Sequence, residues 1–141
     1  MEQISTFHVM EVQNPWYDLI YTRKKRREGR KRSYLKKLLG LGVDVDPRAI
    51  NVKRCIGKEI IIKFNPTKDY PTTRYPKEMI RKIVDVTEYP TLHEYLKYEG
   101  YKAVLPHSSI KTVSDAKKAY NAFFSDEEIW AAGGMVSFMF E

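Results

Sequence analysis

Between Arg23 and Lys37 the chain sets ten cationic side chains, Arg23, Lys24, Lys25, Arg26, Arg27, Arg30, Lys31, Arg32, Lys36 and Lys37, around a single carboxylate, Glu28. The segment carries +9 over fifteen positions, while the other 126 residues, with 15 basic and 17 acidic side chains, carry −2. The overall +7 is therefore local. So dense a cluster opposes folding by self-repulsion unless a polyanion lies against it, and phosphodiester backbones are the commonest polyanion in a cell. Nucleic-acid contact through Arg23, Lys24, Lys25, Arg26, Arg27, Arg30, Lys31 and Arg32 is the reading these residues favour. Two others stay open: a solvated basic surface, and a nuclear-import signal, because KKRREGRKR has the composition an import receptor reads.

Base stacking needs exposed rings, and the sequence is 13% aromatic with ten tyrosines. Trp16, Tyr17 and Tyr21 flank the basic segment; Trp16 is assigned to the core, and Tyr17 and Tyr21 to stacking. Other chemistries find less support. Cys55 stands alone, which excludes an intramolecular disulfide and a multi-cysteine zinc site and points to a reducing interior, cytoplasmic or nuclear. His8, His93 and His107 are scattered, and are expected as strand, helix-surface and loop residues rather than an acid–base pair. No Walker or dinucleotide glycine motif occurs, so neither metal nor cofactor is expected. No apolar run approaches the roughly 18 residues of a membrane span, and MEQISTFHVM lacks the basic start and apolar stretch of a signal peptide. A soluble intracellular protein is the expectation.

The elements that must hold these groups follow from periodicity. A length of 141 residues fits one domain, residues 1–141, within the usual range of about 100–200. A strand is predicted from about Thr6 to Val12, with Met10 and Val12 on one side and Val9 and Glu11 on the other. Asn14-Pro15 starts a short helix, the Asn capping free N–H groups, with Trp16, Leu19 and Ile20 on its apolar face. Arg26 to Arg30 reads as extended, sending Arg26, Glu28 and Arg30 to one side and Arg27 and Lys31 to the other. Tyr34 to Leu39 forms one or two helical turns that stop at Gly40, and a loop runs from Leu41 to about Ala49. Lys58 to Phe64 is the clearest strand, and Met79 to Thr87 a second strong one. Thr91 to Glu94 matches a capping box for a helix ending at Gly100. Another helix starts near Thr112, and Gly134 to Phe140, apolar on both faces, closes the sheet. The order β-α-β-(α)-β-β-α-α-β predicts an α+β fold, a small curled β-barrel with helices at its ends.

Those residues resemble a family. Asn14-Pro15-Trp16-Tyr17-Asp18-Leu19-Ile20, then Lys24-Lys25, then Glu28-Gly29-Arg30, resembles the opening signature of the activating signal cointegrator homology (ASCH) domain, in which an apolar helix runs into a pattern like G-x-K-x-x-E-x-R. Ile56-Gly57-Lys58-Glu59-Ile60-Ile61-Ile62, Tyr89-Pro90-Thr91-Leu92 into Glu99-Gly100, and Tyr120 to Val136 continue the likeness in order over nearly the whole chain. The resemblance implies a PUA-like barrel and a cleft that takes RNA, single-stranded or structured, or a modified nucleoside. Three departures stand out: Arg23 where the family usually has Gly, Arg26 where it often has Thr, and an insertion from about Ser33 to Asn51.

Some ASCH proteins are amidohydrolases of N(4)-acetylcytidine that use a Lys, a Thr and a Glu. Carried over, the Lys falls on Lys25 and the Glu on Glu99, while Glu28 occupies the Thr position. A carboxylate there cannot readily form the acyl-oxygen intermediate a hydroxyl would. An RNA binder using a basic cleft is therefore preferred, with Lys25 and Arg30 on phosphate or base edges and Glu28 and Glu99 accepting from exocyclic amines. The alternatives are a Lys25-dependent nucleoside amidohydrolase with Glu28 and Glu99, or a ribonuclease. Neighbouring cations favour the neutral form of Lys25, and nearby carboxylates the charged form, so the sign of its pKa shift stays open.

Overall fold

A computed structural model describes residues 7–141; the expected start of the first strand at Thr6 lies outside them. Five strands form one sheet: β1 (His8–Val12), β2 (Arg27–Lys31), β3 (Glu59–Phe64), β4 (Glu78–Tyr89) and β5 (Met135–Phe140), in the order β1-β3-β4-β5-β2. The β1/β3 pair is parallel; β3/β4, β4/β5 and β5/β2 are antiparallel. The fold is mixed α+β and the sheet curls into a half-barrel. Its two outer strands, β1 and β2, approach across a seam that Arg30 of β2 bridges by donating to the Glu11 carbonyl of β1 at 2.8 Å.

Alternation sorts the strand residues. In β3, Ile60, Ile62 and Phe64 are buried while Glu59 and Lys63 are exposed. In β1, Met10 and Val12 point inward. These residues, with Val136, Phe138 and Phe140 of β5, fill the half-barrel interior. A second core lies on the other face of the sheet, where Met135 packs with Leu92, Tyr95, Leu96, Ala116 and Tyr120. β5 separates the two cores, which is why it is apolar on both faces.

The helices are α1 (Trp16–Tyr21), α2 (Tyr34–Leu38), α3 (Leu92–Glu99), α4 (Tyr101–Val104), α5 (Val113–Asn121) and α6 (Asp126–Ala131). The N-cap of α1 is Pro15 rather than Asn14, one residue later than expected, and the Asn14 side chain still accepts from the Asp18 N–H at 2.9 Å. Thr91 caps α3 by accepting from the Glu94 N–H, only half of the expected box because Glu94 does not reach back, and Gly100, at φ 84°, ends the helix. Thr112 and Asp115 form a full capping box on α5. A second box, Ser125 with Glu128, starts α6, a helix not expected although Ser-Asp-Glu-Glu announces it. The segment from Ser33 to Asn51 is no surface appendage: Leu35, Leu38 and Ile50 belong to the half-barrel core. Among the described residues no helix is long and apolar enough to cross a membrane.

Candidate functional site: a pocket at the barrel seam

A pocket of about 500 Å³ opens at the seam, between the end of β1 with the residue after it (Glu11, Val12, Gln13) and β2 (Glu28 to Lys31). Trp16, Tyr34, Tyr120, Phe123 and Phe124 give it aromatic walls, and Arg30, Lys31 and Lys37 line it with cations. The side chains of Glu28 and Arg30 share one side of β2, as period-two alternation requires, and pair at 3.1 Å. Arg30 also lies over the Tyr34 ring, 5.1 Å from its centroid. Lys31 lies over Phe124 at 5.8 Å and pairs with Glu128 at 3.6 Å.

Gly29 and Lys31 reach the pocket by a different route. Phe140 N–H donates to the Arg26 carbonyl and Arg32 N–H to the Gly134 carbonyl, so the even-numbered residues bond to β5. The main-chain groups of Arg27, Gly29 and Lys31 must then face the free edge of β2. Lys25 caps the Arg27 carbonyl at 2.6 Å, leaving those of Gly29 and Lys31 turned to the pocket. An unpaired strand edge presents alternating donors and acceptors, which is what the edge of a base requires.

Lys25 lies behind this wall. Its side chain is 0% exposed, donates to the carbonyls of Arg27 and Val104, and stands 3.6 Å from Glu28. Burial pushes its pKa down, Glu28 opposes the shift and Arg30 adds to it. The sign left open by the sequence is thus a lowering. Burial, followed by the charges of Arg30, Lys37 and Lys58, also lowers His8, whose ring hydrogen-bonds the Tyr34 hydroxyl. Burial lifts Tyr34 to about 12 and holds the Tyr120 phenol far above its ordinary value. His107 touches Trp16 edge-on at 6.0 Å and His93 is exposed on α3.

The structure divides the residues singled out by sequence. Lys25, Glu28 and Arg30 form a contiguous trio, but Glu99 does not join it. It lies on the opposite face of β2, bonded to Arg27 at 3.3 Å, and Arg27 also holds Asp85 at 3.2 Å. Arg32 is 7% exposed and its guanidinium is committed to the Pro47 and Ile50 carbonyls, each at 2.7 Å, and to Glu88. It ties down the segment after α2 and has no face left for phosphate. Tyr17 is 0% exposed, its hydroxyl donating to the Pro76 carbonyl at 2.6 Å, so it belongs to the core and Trp16 to the pocket wall. Tyr21 is half-buried with one face stacked on Tyr75 at 4.5 Å. Arg23, Lys24 and Arg26 are exposed. Sequence reasoning missed Tyr34, Phe123 and Lys37 as pocket residues. Phe123 and Phe124 lie beyond the end of α5 at Asn121, so no helical periodicity could show where their rings point.

Two solved structures share this fold. The crystal structure of hypothetical protein PH0355 is 27% identical, with a TM-score of 0.58 over 94% of this chain and 95% of that one. The solution NMR structure of protein PF0455 from Pyrococcus furiosus is 22% identical, with a TM-score of 0.56 over 96% of each chain. No protein-family model matches the chain, and no curated protein does. The likeness to these archaeal proteins is one of fold.

Proposed function

We propose that this chain is an ASCH-type, PUA-like protein that binds RNA by taking one unpaired nucleotide into the seam pocket. The observation that carries the reading is the composition of that pocket: a Glu28–Arg30 pair and the free β2 edge set between aromatic walls, with Lys31 and Lys37 beside them. A ring can stack on Trp16, Tyr34 or Phe123 while its polar edge meets main-chain groups of Gly29 and Lys31. Both hydrogens of Arg30 Nη2 serve Glu11 and Glu28, and its Nε and Nη1 have no hydrogen-bond partner among the described residues. Those donors suit a phosphate or a base acceptor. Titrating short single-stranded RNA against the Trp fluorescence tests this. Affinity should fall as salt rises, and Arg30→Ala should weaken binding about tenfold or more, the worth of one or two charged hydrogen bonds. Glu28→Gln, nearly isosteric, supplies a second variant. Binding that ignores both substitutions, or no binding at all, refutes the proposal.

One observation favours a second reading, hydrolysis of an acylated nucleoside such as N(4)-acetylcytidine: the lowered pKa of Lys25 beside Glu28. Against it, Lys25 is absent from the pocket wall and Glu99 is held by Arg27 on the far side of β2. Release of cytidine on incubation, lost in Lys25→Ala, would establish this reading in place of a simple binder.

A further inference from the structure

The exposed cations at the start of the basic segment do not belong to the pocket. Arg23, Lys24 and Arg26 follow α1, and Arg81 of β4 joins them by donating to the Tyr21 carbonyl at 3.2 Å. The sheet brings them together: Phe140 bonds to Arg26 and pairs with Ile83, setting the start of β2 near the Arg81 end of β4. Among the described residues none of the four makes an ion pair, and Glu141, the acid at the end of β5, pairs with none of them. The Arg81 guanidinium lies over the Tyr21 ring at 5.9 Å, and Tyr21 is stacked on Tyr75. Burial, and after it the charge of Arg23, depresses the Arg81 pKa, so the two cations are close enough to repel. Arg23 sits at φ 64°, a left-handed conformation that favours glycine, yet the position carries a charged side chain.

We infer that Arg23, Lys24, Arg26 and Arg81 form a second station for the phosphodiester backbone of the same RNA strand whose nucleotide enters the seam pocket. The inference rests on the pocket reading and extends the contact from the one nucleotide in the pocket to the backbone of the strand that carries it. Arg26 and Arg30 share one side of the extended segment, four residues or about 13 Å apart. A single nucleotide in the pocket does not cover that span. A strand of about four or more nucleotides, the short end of the site sizes used by single-strand binders, does.

The test compares nucleoside 5′-monophosphates with mixed-sequence single-stranded RNA of two, four, six and eight nucleotides, each over a salt series. Affinity should climb with length by at least about tenfold at low salt and level off beyond about six nucleotides. The log–log salt slope should steepen by about 2, at roughly 0.7 per added phosphate contact. The gain on going from monophosphate to hexamer should drop below about threefold in a variant combining Arg23→Gly, Lys24→Ala and Arg26→Ala, all at exposed positions. Arg23→Gly removes the charge and suits the left-handed backbone, so folding is not at risk there. Arg81→Gln should reduce the gain on its own. A flat length series, or a gain that survives both variants, overturns the second station and leaves the pocket reading intact. Hexamer binding that ignores Arg30→Ala but is lost in the triple variant refutes the pocket reading and, with it, the continuous strand.

Discussion

Replacing Lys25 by Met separates a lysine that holds the site together from one kept for its reactivity. Met matches the side chain in length and fits the same buried space, but it cannot donate. The Arg27 and Val104 carbonyls would lose their partner, and Glu28 would keep only Arg30 as a counter-charge. Each stranded buried acceptor costs about 1–3 kcal/mol, and relief of the lysine's own burial offsets part of the sum, leaving a loss of about 2–4 kcal/mol at pH 7. The loss should also grow with pH. Burial holds the Lys25 pKa below 10.5, so between the folded value and 10.5 the unfolded chain binds more protons than the folded one. The Lys25 contribution to wild-type stability therefore rises through that window, by up to about 1.4 kcal/mol per pH unit, and Lys25→Met lacks it. Urea unfolding of both proteins from pH 7 to pH 10 measures the difference and cancels groups they share. If Lys25→Met were as stable as wild type, or the gap did not widen with pH, the structural role argued for this ammonium would be wrong.

Gly29→Ala should destabilise although Gly29 lies in a strand, where alanine is ordinarily harmless. Its Cβ would come within 2.5 Å of the Tyr95 hydroxyl, and Tyr95 is wholly buried and bonded to Tyr120 at 2.7 Å. Overpacking with partial loss of that bond predicts about 2–4 kcal/mol by thermal or urea unfolding; a neutral variant would mean Tyr95 is free to move. Alkaline solution should destabilise the wild type in stages. Burial lifts Cys55 from 9.0 to about 11 and Tyr17 from 10.0 to about 12, so above pH 9 and then above pH 10 the folded chain holds protons the unfolded chain has released. Cys55→Ala should remove the first stage from a stability profile between pH 8 and pH 12, and Tyr17→Phe should make the later one shallower without abolishing it, because burial raises Tyr34, Tyr89 and Tyr120 over the same range.

The sequence disclosed the strands more fully than the roles of the charged residues. β3 was legible because its inward and outward residues differ in polarity, and α3 and α5 because their caps are local chemistry between residues three apart. Even the placement of Arg27 opposite Glu28 and Arg30 followed from alternation. The misassignment of Tyr17 and Trp16 has a physical source: α1 is under two turns long, so Trp16-Leu19-Ile20 and Tyr17-Ile20 describe equally good apolar stripes. What decides between them is the Pro76 carbonyl, 59 residues away, which accepts from the Tyr17 hydroxyl. Arg32 and Lys25 were illegible for the same reason. Their partners, Pro47, Ile50 and Glu88 for one and Val104 for the other, come from segments that meet only after folding. A run of cations in sequence thus becomes three populations in space: internal struts, pocket residues, and an unpaired exposed group.

Glu28, the one acid in that run, connects the first two populations. Its Oε1 faces Lys25 and its Oε2 takes a hydrogen bond from Arg30, which also reaches Glu11 across the seam. A threonine at this position would leave two cations facing each other with no counter-charge and would free Arg30 from the geometry that spans β1 and β2. A hydroxyl nucleophile would have to come from elsewhere, and the pocket hydroxyls are those of Ser33, Tyr34 and Tyr120. The two phenols are held well above their ordinary pKa by burial, which disfavours the oxyanion. Ser33 precedes α2 and no lysine or carboxylate hydrogen-bonds its hydroxyl among the described residues. The carboxylate at position 28 thus shapes the seam and divides its charge between Lys25 and Arg30, an arrangement that fits the binding proposed for the pocket better than acyl transfer.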